Sequence, residues 1–117
     1  KEADARRLGA HHIVLSTEDA QMTAAKGQFD LIIDTVPYVH DLMPYIPTLK
    51  VDGTLVLVGY LGDLSPMLNT MPLILARRSV AGSCIGGIAE TQEMLDFCAK
   101  HGIVSDIEMI NIQDINE

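Results

Sequence analysis

The 117-residue chain has no tryptophan, only two cysteines, and 8 Lys and Arg against 16 Asp and Glu. Each shortage excludes something. With so few cations, and only Arg6-Arg7 and Arg77-Arg78 adjacent, there is no basic stripe to track a phosphate backbone, so nucleic acid is not expected as a partner. No apolar run approaches the length of a membrane span, which takes roughly 20 residues. The first residues, Lys1 to Arg7, form a charged helical pattern and not a signal peptide. Cys84 and Cys98 cannot make a disulfide framework, which points to a reducing, cytoplasmic setting. Two isolated cysteines and four scattered histidines also offer no tetrahedral metal site. Repeats, low-complexity runs and flexible linkers are missing too. What is present is a hydrophobic content of 48%. That is enough for a globular domain. The chain opens inside a helical pattern without an initiator Met and closes as another element begins, so a piece of a longer protein is expected.

Short apolar runs alternate with longer mixed segments. Ala3–Leu8 reads as the end of a helix stopped by Gly9. His12–Leu15 has the length of a strand. Ser16 or Thr17 would cap a helix from Glu18 to Ala25. Phe29–Val36 is β-branched-rich and closed by Pro37, so it predicts a strand. Asp41–Leu49 predicts a helix, kinked or shortened by Pro47. Gly53–Gly59 is the clearest strand. Leu61–Met71 reads as a loop, Pro72–Arg78 as a helix with proline at its start, Ser79–Gly86 as a small apolar strand and Glu90–His101 as a helix stopped by Gly102. Ile103–Ile112 is expected to be extended. Alternating strands and helices imply parallel β-α-β units. Strands apolar on both sides imply helices on both faces of the sheet. The fold class is therefore α/β, a doubly wound parallel sheet. Ligands of such sheets lie beyond the carboxyl ends of the strands. Those ends here are Thr35-Val36-Pro37, Val58-Gly59-Tyr60 and Ser83 to Gly87, and glycine in two of them could let a ligand approach closely.

These segments also carry a resemblance. Arg6-Arg7-Leu8-Gly9-Ala10, Phe29 to Pro37, Asp52 to Gly59, and Gly82 to Gly87 followed by Glu90 to Cys98 are similar, in that order, to the cofactor domain of the medium-chain alcohol dehydrogenases. The last two segments resemble the cinnamyl alcohol dehydrogenase branch. The resemblance implies a zinc-dependent, NADP(H)-using oxidoreductase that interconverts small-molecule aldehydes and primary alcohols. It implies a partial Rossmann domain over 1–102, with strands three to six present and one and two missing, and a return segment toward the catalytic domain over 103–117. In the order 3-2-1-4-5-6, His12–Leu15 would then lack its neighbour. The family's Gly-rich pyrophosphate turn and its zinc ligands would lie before Lys1, so the isolated chain is expected to be inactive.

By the same resemblance, Thr35, Val36 and Pro37 lie beside the nicotinamide ribose, Val58, Gly59 and Tyr60 approach the nicotinamide, and Ser83, Cys84 and Ile85 hold its carboxamide. Lys1 falls near the ribose 2′-phosphate. Relatives pair as homodimers through the sheet edge, here Ser79–Gly86 with the preceding loop. Read as residues alone, Pro37 can simply close a strand, Tyr60 can cover core, and Lys1 can be a solvated helix-start lysine. His11, His12, His40 and His101 read as surface or helix-end residues. Cys98 reads as core on a helix face with Met94 and Leu95, and Asp63, Asp106, Glu108, Asp114 and Glu117 as solvated acids. A zinc-free quinone or enoyl reductase, and a stand-alone nucleotide-binding module, are the alternatives.

Overall fold

A computed structural model describes residues 2–116. The chain divides into two compact units, one up to Cys84 and one from Ile85. The first unit holds helices α1 (Glu2–Arg7) and α2 (Asp19–Ala24), strands β1 (Phe29–Asp34) and β2 (Leu49–Leu57), helix α3 (Met71–Ala76) and strand β3 (Ser79–Gly82). The strands form a parallel sheet in the order β1-β2-β3. It is the α/β architecture of a partial Rossmann sheet.

The register sorts the side chains into two faces. Ile32, Leu55 and Val80 stand opposite one another in one row, and Ile33, Val56 and Ala81 in the next. The first row faces the core, where Leu55 (1% exposed) and Leu49 meet Leu42, Ile46 and Leu61 from the connecting segments. The second row faces outward, with Ile33 59% exposed, as does Leu31 two residues earlier on β1 at 54%. Both connections, β1 to β2 and β2 to β3, contribute to the same core.

Several boundaries also differ from the expected ones. His12–Leu15 forms no strand, because a strand needs a hydrogen-bonding neighbour and none stands beside it. A hollow of about 730 Å³ lies beside it, with His12, Val14, Leu15 and Phe29 among its lining residues. Helix α2 is preceded by Glu18 without a side-chain cap, so neither Ser16 nor Thr17 plays that part. Asp41–Leu49 forms no α-helix. Pro44 and Pro47 remove two amide donors, and only a short 3-10 turn over Ile46–Thr48 remains. β2 starts at Leu49, ahead of the expected Gly53, and reaches it through a bulge. Within the bulge Asp52 has φ 64°. Gly53 is so tight that a Cβ would sit 3.1 Å from the Phe29 carbonyl oxygen. β3 stops at Gly82 and not at Gly86.

The second unit consists of helix α4 (Ile88–His101) and a tail without strands. Gly87 N–H donates to Glu90 Oε2 at 2.6 Å, closing the start of α4. Gly102 ends it in the left-handed conformation at φ 65°. Ile103–Ile112 forms no strand, and a 3-10 turn follows over Ile112–Asp114. Cys98 is half-buried beside Met94, with Sγ to Sδ at 3.6 Å, but α4 has no buried residue, so Cys98 is not core.

Candidate functional site

The site expected from the sequence sits where the three strands end. Asp34, Leu57 and Gly82 stand in register, so Thr35, Val58 and Ser83 leave the sheet at the same level. Main-chain bonds continue the ladder one step further. Val58 and Gly59 N–H donate to the Asp34 carbonyl at 3.0 and 3.3 Å, and Ser83 N–H donates to the Leu57 carbonyl at 3.0 Å. Beyond those bonds Thr35, Val36, Pro37, Tyr60, Ser83 and Cys84 are exposed, and Val58 is 46% exposed. The structure therefore brings the candidates at the ends of β1 and β2 together, with Ser83 and Cys84, at the end of β3, beside them.

Some candidates behave differently from their sequence reading. A Cβ on Gly59 would lie 2.5 Å from the Val36 carbonyl oxygen and 2.8 Å from its carbon. Glycine here lets one strand end pack on the main chain of the next. A Cβ on Gly86 would meet Glu90 Oε2 at 2.9 Å, so the room at that glycine is taken by the carboxylate that starts α4. Both glycines make space for the protein's own atoms, whereas Gly82 has nothing within 4 Å. Tyr60 is 87% exposed and covers no core. Ile85, also exposed, opens the second unit. Lys1 lies outside the described residues.

The sequence reading missed one constellation. Asp34 is the last residue of β1, and its side chain shares the core face with Ile32 at 8% exposure. Its Oδ1 accepts the Val36 N–H at 2.9 Å, and its Oδ2 lies 3.0 Å from His40 Nε2. His40 Nδ1 lies 2.8 Å from the Tyr38 carbonyl oxygen, and the ring stands edge-on to Tyr45. Asp34, Thr35, Val36, His40, Tyr45 and Leu55 are among the residues around a small cavity of about 200 Å³. The available signal was an acid at a core-facing position of an apolar strand, since a buried carboxylate requires partners. His11 and His12 are exposed, and His101 stacks on Phe97 with ring centroids 4.3 Å apart.

Among the described residues no group of three or more His, Cys, Asp or Glu is placed to hold a metal ion, and no helix is long and apolar enough to cross a membrane. The zinc-binding dehydrogenase family matches residues 1–100. The chain belongs to that family. It is 52% identical to cinnamyl alcohol dehydrogenase 3 of Arabidopsis thaliana over 94% of this chain and 29% of that protein. It is 49% identical to aldehyde reductase YahK of Escherichia coli over 100% of this chain and 34% of that one. The solved CAD of Helicobacter pylori complexed with NADP(H) superposes with a TM-score of 0.78 at 40% identity, over 99% of this chain and 33% of that one. The chain thus spans about a third of the length of these relatives. Its described residues do not fit the family's metal.

Proposed function

We propose that this chain is the nicotinamide-side part of the cofactor domain of an NADP(H)-dependent zinc dehydrogenase that interconverts aldehydes and primary alcohols. What supports the reading most is the common level at which three exposed, uncharged strand ends leave one parallel sheet, in a chain of this family. Bound there, the nicotinamide supplies the hydride donor or acceptor. The chain's own task is to orient: Thr35, Val36 and Pro37 flank the ribose, Val58, Gly59 and Tyr60 approach the ring, and Ser83, Cys84 and Ile85 meet the carboxamide. Lys1 is assigned to the 2′-phosphate, as a long cationic side chain suits that group. Gly59 contributes by letting the 35–37 and 58–60 segments lie against each other. Fixing the ring's position is one of the protein's contributions to the rate of hydride transfer.

Residues 1–102 are assigned to the cofactor domain and 103–117 to the return toward the catalytic part, with zinc held by residues outside this chain. The free edge of β3 is the surface proposed for a homodimer, and free Cys84 and Cys98 suit a cytoplasmic location. The test compares the 117-residue chain with the intact enzyme that carries it. The intact enzyme is expected to bind zinc and to consume NADPH with an aromatic aldehyde, while the chain alone turns nothing over. Zinc-dependent reduction by the isolated chain would overturn the reading. An intact enzyme active without zinc would favour a quinone or enoyl reductase instead.

A further inference from the structure

We infer that Asp34 and His40 are positioning residues that clamp the Thr35–Val39 segment onto the end of β1, an inference that rests on the proposed cofactor role of that segment. Segments of this kind are exposed and short of contacts: Tyr38 and Val39 are exposed, and Thr35, Val36 and Pro37 protrude beyond the ladder. Three ties hold it. The Asp34 carboxylate takes the Val36 N–H with one oxygen and faces His40 Nε2 with the other, and His40 returns through Nδ1 to the Tyr38 carbonyl. The loop's start, apex and end are thereby joined to one nearly buried carboxylate. The Tyr45 ring, meeting His40 edge-on, limits where the imidazole can turn.

The chemistry of the clamp is specific. Both partners of His40, a carboxylate and a carbonyl, are acceptors, so each is met by a ring N–H and by no acceptor nitrogen. An asparagine at position 34 can reproduce the pattern without charge. Its oxygen accepts the Val36 N–H, while its amide donates to Nε2 of an imidazole that still donates from Nδ1. Alanine at either position removes the clamp. With the clamp gone, the close approach of Gly59 to the main chain of Val36 and Pro37 remains.

The test uses His40→Ala, His40→Gln, Asp34→Ala and Asp34→Asn in the intact enzyme, read by hydrogen exchange of the Val36 amide and by NADPH binding. Both alanine variants are expected to exchange the Val36 amide faster and to bind NADPH about tenfold more weakly, because misplacing a binding segment by a fraction of an ångström costs that much. Asp34→Asn should recover most of the affinity, which general destabilisation at a buried site would not allow. Should the alanine variants fail to fold, His40→Gln, which keeps one donor toward Asp34 and loses the tie to Tyr38, decides. It should exchange faster at Val36 and bind severalfold more weakly. Folded alanine variants, or the glutamine variant, with parental exchange and affinity would overturn the clamp. Absence of NADPH binding by the parent would instead overturn the proposed function, and the exchange arm would still read the clamp.

Discussion

The two ends of the three-stranded sheet are built from different chemistry. At the amino end the latches are charged. Arg78 donates to the Leu49 carbonyl at 2.6 and 3.0 Å, to the Lys50 carbonyl at 3.3 Å and to the Pro72 carbonyl at 3.2 Å, tying the start of β3 to β2 and α3. Arg77 grips the Asp52 carboxylate with two bonds of 2.7 Å, and Lys50 pairs with Asp30 at 2.7 Å. At the carboxyl end Thr35–Pro37, Val58–Tyr60 and Ser83–Cys84 carry no charge, and main-chain contacts do the joining. The contrast teaches a division of labour. Long charged side chains secure the end that only has to hold, while the other end stays bare, open and held from beneath by Asp34 and His40. It also accounts for the Arg77-Arg78 pair: both guanidiniums are engaged within the fold.

That contrast can be broken at its most crowded point. A Cβ at position 59 would meet a neighbouring main chain with no flexible atom to yield. Gly59→Val should therefore lower stability by about 3 kcal/mol, as overpacking of a rigid site does. Thermal unfolding checks this, and an unchanged midpoint would show that the strand ends are not packed as described. At the amino end Arg78→Met keeps the stem and removes the donors to the Leu49, Lys50 and Pro72 carbonyls. Losing charge-assisted hydrogen bonds of this kind costs about 2 kcal/mol. Gly82→Ala provides the counterpart to Gly59, with open space around it and an ordinary φ. It should be neutral or stabilising by up to about 1 kcal/mol. Chemical denaturation of the Arg78 variant and the two glycine variants side by side reads the differences.

The smallest effect belongs to the exposed Arg77–Asp52 pair. The hydrogen bond from Arg77 holds the Asp52 carboxyl below its ordinary value of 3.8, and the same bond, with the attraction of the carboxylate, raises Arg77. Because Asp52 is depressed in the folded protein, its contribution is complete above the ordinary carboxylate range and is lost as the pH falls through the lowered value. Arg77→Ala should therefore leave a slight deficit at neutral pH that closes in acid and in high salt. A deficit that grew on acidification would contradict the assigned pairing.

Much of the sheet was legible because short apolar runs between turn signals have few other uses: Leu31–Ile33, Leu55–Leu57 and Ser79–Gly82 are strands as that pattern predicts. Gly9 and Gly102 follow their helices with positive φ, as stop signals do. Features that depend on a neighbour were not legible. His12–Leu15 has strand composition, but pairing decides strands. Asp41–Leu49 has helical spacing, and two prolines outweigh it. At the site, strand-end glycines look alike in sequence, yet Gly59 sits against Val36, Gly86 against Glu90 and Gly82 against nothing. Asp34 hinted at a partner, but only the path of the loop shows that His40 supplies it.

Hydrogen exchange of the intact enzyme with and without NADPH probes both ends of the sheet at once. Cofactor seated on the bare end should slow exchange at 35–37, 58–60 and 83–85 and leave 50–52 and 77–78 unchanged. Slowing at the charged end, or none at the three strand ends while NADPH is bound, would contradict the placement of the cofactor.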